Sequence, residues 1–259
     1  MTSVAPLLCA ATGAVTTLTL NRPDKRNALN VELLTALLAG LETAGADATQ
    51  RILILRGAGP VFCAGLDLAE AARPERAHAS ADLVARALAA LSGTRLATIA
   101  VVQGAAIAGG AGLMAACDFA VATRNAKFGF PEVRRGLVAG LILTFLRRQL
   151  RERDLRELLL LGAPFDAAHA HALGLVNRLA DDSAALEHEV DSLVHALLHA
   201  APGAIAQTKQ LLRDLWPHTV QHDLDHALAF HLQARNSPEA QEGIAAFQAK
   251  RLPSWAPPA

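Results

Sequence analysis

The sequence predicts an α/β fold that ends in an all-helical C-terminal region. Three observations lead there. The runs RILILRG (51–57), TIAVVQG (98–104) and DFAVAT (118–123) are apolar without polar alternation, as in strands buried on both faces. Glycine-rich loops follow the first two, as where a strand turns towards a helix. From about residue 140 the pattern is helical almost to the end. With 259 residues, 52% of them apolar, the chain can bury a sizeable core.

The elements follow in order. Residues 4–20 read as a hairpin around ATGAV, with Gly13 at the turn. NRPDKRNAL (21–29) is a polar loop stiffened by Pro23, and Asn30 caps the amphipathic helix VELLTALLAGLETA. RILILRG is the first buried strand, and AGPVFCAGLDL after it is loop. Ser80 opens a helix that Gly93 closes. TIAVVQG, a Gly/Ala stretch, DFAVAT and a short strand at KFGF come next. Helices are predicted over 140–150, 152–161, 167–173, 184–200, 203–215, 219–235 and 238–250, with Asp166 and Gly174 capping the third. LGLVNRL is the last short strand.

The Gly/Ala stretch, GAAIAGGAGLMAACD (104–118), has four glycines and six alanines where a strand meets a helix. Bare backbone at a helix start offers unpaired N–H groups and lets a ligand approach closely. Tight helix–strand packing explains the same residues equally well. The stretch is neither a P-loop nor a GxGxxG fingerprint. A second glycine loop, VFCAGLDL (61–68), follows a strand of the same sheet, and two N–H groups from two such loops, aimed at one point, make an oxyanion hole.

Six segments in order, NRPDKRNAL, VFCAGLDL, GAAIAGGAGLMAACD, KFGFPEVRRGL, GLVNRL and EGIAAFQAKR, resemble the enoyl-CoA hydratase/isomerase (crotonase) superfamily over nearly the whole chain. The resemblance implies a crotonase-like spiral of ββα units: residues 1–199 form the core with the acyl-CoA site, and 200–259 a helical trimerisation region. It implies an acyl-CoA thioester substrate, no separate cofactor, and a homotrimer or a hexamer of two trimers. By the same resemblance Leu66 and Gly109 supply the oxyanion N–H groups and Glu132 is the acid/base. Lys25, Arg26, Ala28, Ala64, Asp67 and Leu68 line the CoA-facing loops, and Phe247 and Lys250 match a C-terminal pair that reaches CoA on a neighbouring subunit. Lys25 and Arg26 read equally well as a solvated loop. The departure is Gly112, where hydratases of the family carry a second Glu; residues 139–143 also lack a catalytic Asp.

One carboxylate suffices to move a double bond, so the resemblance with this departure implies isomerisation of a 3-enoyl-CoA to a 2-enoyl-CoA. Hydration of a branched or glutaconyl-type acyl-CoA is the alternative. A CoA-ester binder without catalysis is the reading from another class, and the intact PEVRRGL motif weighs against it.

The remaining features read as structural. His218, His222 and His226 share a helical face, as do His195 and His199; these read as solvated faces more than metal sites. Arg147, Arg148, Arg151, Arg153 and Arg156 alternate with Glu152, Asp154 and Glu157, the pattern of an ion-paired surface. With 24 basic and 24 acidic residues, nothing marks a nucleic-acid or membrane partner. Cys9, Cys63 and Cys117 are odd in number and scattered, which fits a reduced, cytoplasmic setting; Cys63 and Cys117 read as small core residues. Asp118 reads as a loop cap.

Overall fold

The computed structural model describes residues 5–71, 74–216 and 219–256. Strands β1 (Leu7–Thr12) and β2 (Val15–Leu20) form the expected hairpin, with Gly13 at φ +57° in the turn. α1 (Val31–Ala46) starts where Asn30 accepts a hydrogen bond from Leu33 N. β3 (Ile52–Gly57), α2 (Leu68–Ala71), α3 (Pro74–Gly93), β4 (Ala97–Val102), β5 (Ala105–Ile107) and α4 (Gly109–Ala115) follow. Then come β6 (Phe119–Thr123), β7 (Lys127–Gly129), a 3-10 turn (Pro131–Arg135), α5 (Gly140–Leu146) and α6 (Glu152–Leu161). β8 (Phe165–Asp166), α7 (Ala167–Ala172), β9 (Arg178–Ala180), α8 (Ser183–His199), α9 (Pro202–Asp214), α10 (Val220–Arg235) and α11 (Pro238–Gln248) complete the chain.

Six strands form one sheet in the order β1-β2-β3-β4-β6-β9, parallel except for the β1–β2 hairpin. β5, β7 and β8 form a second, smaller sheet. The units β1-β2-α1, β4-β5-α4 and β6-β7-α5 give the spiral of ββα turns. Strand alternation explains why the central runs are apolar throughout. Leu53 and Leu55 of β3 enter the large core under α1, α3 and α4, whereas Ile52 and Ile54 pack with Leu186, Val190 and Leu193 of α8.

The structure differs from the sequence reading in several places, among them β9, which starts only at Arg178 near the end of LGLVNRL. α3 begins at Pro74, and Ser80 lies buried inside it, 1% exposed. A serine that suits an N-cap can also sit inside a helix when the residues before it carry the helix on, and proline is itself favoured in a first turn. The Gly/Ala stretch opens with strand β5 before the helix starts, because Ala105 and Ile107 are held by the parallel bridge between Cys63 and Ala106 and by β7. Two-residue β8 carries too little pattern to be read.

Of the tail, α10 packs on α5 and α3, and α11 on the 131–135 turn. In α9 the one buried residue is Lys209, which donates to Leu96 O and to Asp118 Oδ2, both at 2.6 Å. Asp118 also accepts from Thr98 N and Oγ1, so it ties α9 to the start of β4. Among the described residues, no helix is long and apolar enough to cross a membrane.

Candidate active site

The loop after β3 and the start of α4 are brought together by backbone pairing. Leu29 N donates to Gly65 O at 2.8 Å and Asp67 N donates to Leu29 O at 2.9 Å, a parallel bridge that turns the intervening Leu66 N–H the other way. Cys63 N donates to Ala105 O, and Ile107 N to Cys63 O. Gly110 permits this approach, since a Cβ there would lie 2.4 Å from Cys63 O. A Cβ on Gly65 would stand 3.4 Å from Gly109 N, and one on Gly109 would stand 3.9 Å from Leu66 N. Neither Leu66 N nor Gly109 N has an acceptor among the described residues.

Ala108, at the turn into α4, has φ +50° and ψ −125°, a region that L-residues rarely occupy. Its N–H donates to Gly129 O at 2.9 Å, and this bond ties the turn to β7. The strain sits at the residue that places Gly109.

Leu66, Gly109 and Glu132 line one cavity of about 330 Å³. Lys25, Arg26, Ala28, Ala64, Asp67 and Leu68 line the same cavity, as does Phe247. Two candidates lie elsewhere. Gly112 is buried on α4, with Ile142 and Leu88 between it and open space. Lys250 lies past the end of α11, exposed and off the cavity lining of its own chain.

Glu132 sits in the 3-10 turn, 8% exposed, and its Oε2 is buried without a hydrogen-bond partner. Burial pushes its carboxyl up to about 7, a rise offset in part by its own backbone N–H and by the charge of Arg135. It can therefore take up and release a proton near neutral pH. Among the described residues Asp67 is the other carboxylate on the cavity wall, and Arg22 holds it at 3.0 Å.

Several residues of the site were not singled out in the sequence. Asn27 is fully buried; its Nδ2 donates to Ala58 O, Val61 O and Phe62 O, and its Oδ1 accepts from Arg22 N. It fastens the 21–29 loop to the loop after β3. Arg22 reaches Ala28 O as well as Asp67. Val84, Leu137, Ala139, Leu141 and Ile142 make an apolar wall, and Arg135 and His231 are its polar members beside Glu132. His231 Nδ1 lies 3.3 Å from Val138 O, and burial lowers its proton affinity. Burial also pushes the thiols of Cys63 and Cys117 up to about 12, as suits inert core residues.

Of the histidines considered for metal, His218 lies outside the described residues and His222 is exposed. Arg151 pairs with Asp154 and Arg156 with Glu152, as the mixed charges implied, whereas Arg147 and Arg148 reach Asp223 of α10.

The two-sheet ββα spiral thus brings bridged glycine loops and a buried glutamate to one cavity, an arrangement able to hold an oxyanion beside an acid/base. The sequence model of the enoyl-CoA hydratase/isomerase family matches residues 10–258, and the chain belongs to that family as an enzyme of hydratase/isomerase type. It is 33% identical over 239 residues to the 2,3-dehydroadipyl-CoA hydratase of Escherichia coli, covering 92% of this chain and 93% of that one. It is 32% identical over 248 residues to an enoyl-CoA isomerase/hydratase of Mycosarcoma maydis, covering 91% and 90%. The crystal structure of an enoyl-CoA hydratase from Mycobacterium avium superposes with a TM-score of 0.86 at 33% identity, over 98% of this chain and all of that one.

Proposed function

We propose that this enzyme isomerises 3-enoyl-CoA to 2-enoyl-CoA esters, with Glu132 as its single acid/base. The observation that carries the reading is the inventory of carboxylates on the cavity wall among the described residues: Glu132 is desolvated and keeps Oε2 without a hydrogen-bond partner, Asp67 is engaged by Arg22, and position 112 offers only a glycine packed under Ile142. In this reading Leu66 N–H and Gly109 N–H donate to the thioester oxygen. The Glu132 carboxylate takes a proton from C2, and the electron pair of that C–H bond spreads into a dienolate whose charge rests on the thioester oxygen. The carboxylic acid so formed returns the proton at C4, and the double bond ends between C2 and C3. No other group is required, and no cofactor beyond the CoA of the substrate.

Lys25 and Arg26, exposed at the cavity mouth, are assigned to the phosphates of CoA, and Ala28, Ala64, Asp67 and Leu68 to the walls around its pantetheine. Lys250 is assigned to the CoA of a neighbouring subunit in a homotrimer or a hexamer of two trimers. Leu211, Leu212, Leu215 and Phe230 support assembly, since all are exposed, on α9, just after its end and on α10. A monomer by light scattering at micromolar concentration overturns that assignment. The three free cysteines support a reducing, cytoplasmic setting.

Hydration of a 2-enoyl-CoA is the second reading, and the hydratase names of several relatives favour it. Turnover of 3-hexenoyl-CoA and of crotonyl-CoA by the same preparation separates the two. Faster isomerisation is expected. Brisk hydration of crotonyl-CoA with 3-hexenoyl-CoA untouched overturns the isomerase reading.

A further inference from the structure

The turn that carries Glu132 is clamped by the C-terminal helix. A Cβ on Gly243 of α11 would fall 2.4 Å from the carbonyl carbon and oxygen of Arg135, and one on Gly136 would fall 2.4 Å from Glu239 C. The two backbones therefore meet with nothing between them. One helical turn further along α11, Phe247 lies under the guanidinium of Arg135, with Cζ 4.4 Å from the ring centroid. In a 3-10 turn, residues three apart eclipse one another, so Arg135 and Glu132 leave the turn on the same side. Both line the cavity, and each keeps a buried polar atom without a partner, Nε on Arg135 and Oε2 on Glu132.

We propose that Arg135, seated on Phe247 of α11, is a positioning residue that supplies the countercharge for Glu132 and so holds its carboxylate available near neutral pH. The proposal rests on Glu132 being the acid/base. A cation beside a desolvated carboxyl favours the ionised form, while the cation–π contact fixes the guanidinium where it acts through its charge.

Other charges around the turn are engaged or exposed. Arg134 Nε donates to Leu161 O, Glu242 of α11 binds Arg251, and Glu239 is exposed. On α6, Glu152 and Asp154 bind Arg156 and Arg151, and Arg153 and Glu157 are exposed. Across the cavity Asp67 binds Arg22, His231 is turned to Val138 O, and Lys25 and Arg26 stand at the mouth. Arg135 is the cation of the turn that lines the cavity together with Glu132.

The test follows the carboxyl itself by infrared difference titration, using the band that disappears in Glu132→Gln. In Arg135→Met its midpoint is expected to rise by about one pH unit, and Arg135→Lys to return it towards the starting value. Phe247→Leu should give an intermediate rise. The rising limb of kcat/KM for 3-hexenoyl-CoA should move with the midpoint, a loss of roughly fivefold at neutral pH in Arg135→Met. An unchanged midpoint in Arg135→Met overturns the proposal, and if that variant does not fold, an unchanged midpoint in Phe247→Leu does so. Full activity in Glu132→Gln would instead remove the acid/base reading, and the infrared midpoints would still judge Arg135.

Discussion

Ile142 occupies the space that a longer side chain at Gly112 would need: a Cβ on Gly112 would stand 3.0 Å from Ile142 Cγ1 and 3.6 Å from Leu88 Cδ2. Both neighbours are core side chains, not backbone, so the site is filled by packing. Gly112→Glu alone is expected to destabilise the protein by about 1–3 kcal/mol, the usual cost of overpacking, and to leave hydration of crotonyl-CoA unchanged. Gly112→Glu combined with Ile142→Ala clears the position and should raise hydration. Equal hydration rates in the single and double variants would show that Ile142 is not what keeps the second carboxylate out.

Glu132 is predicted to trade stability for chemistry. Its folded-state value of about 7 lies above the ordinary 4.5. Between these values the folded protein holds a proton that the unfolded chain has released, so stability falls as pH rises through the interval. The favourable contribution is complete below 4.5 and gone above about 7. Glu132→Gln escapes the penalty of burying a charge. It should match the wild type in acid and exceed it above neutrality by at most about 3 kcal/mol. Turnover should drop by roughly 10²–10⁴ in the same variant. Urea unfolding of both proteins near pH 5 and near pH 8 checks the first statement; a stability difference that does not vary with pH contradicts it.

The parts of this molecule that were legible in the sequence are those with a local cause. Asn30 and Asp166 cap their helices through their own side chains, as read, and the helices after residue 140 follow their apolar periodicity to within a few residues. The loops of the site were legible because glycines mark them. What could not be read depends on residues far apart in the chain. Asn27 looks like any loop asparagine until the loop after β3 closes on it. Arg135 stands in a quoted motif, but its relation to Glu132 depends on a 3-10 turn and on Phe247, more than a hundred positions later. The family resemblance placed Gly112 in the site, yet α4 turns it into the core, where Ile142 covers it.

Lys25 and Arg26 decide whether the 21–29 loop serves CoA or only solvent. Both are exposed on the cavity rim, and the described residues show no acidic partner for either. The Lys25→Ala/Arg26→Ala double variant is expected to bind acetoacetyl-CoA about tenfold more weakly by calorimetry, with a smaller dependence on salt, and to keep its melting temperature. Unaltered affinity and salt dependence would return the two residues to the solvated surface.

The glycines of the chain are predicted to divide sharply on substitution, because close backbone approach occurs at some and not at others. At Gly110 the added Cβ would meet Cys63 O at 2.4 Å and Cys63 Cβ at 2.7 Å, and neither atom can swing aside. Relief would have to separate α4 from the loop after β3, which carries Leu66 N–H away from Gly109 N–H. Gly110→Ala should therefore cost several kcal/mol, or at least about 3, and abolish preference for acetoacetyl-CoA over free CoA even where the fold survives. Gly203, in the first turn of α9, has nothing within 4 Å of the same added atom. There alanine only restricts the unfolded chain and favours the helix, so Gly203→Ala should stabilise by a few tenths to about 1 kcal/mol without touching binding. Thermal melts and acetoacetyl-CoA calorimetry on both variants give the comparison. A Gly110→Ala protein that melts like the wild type and keeps its preference for the thioester would mean that the two loops need not meet as closely as they do, and the paired N–H groups would lose their structural basis.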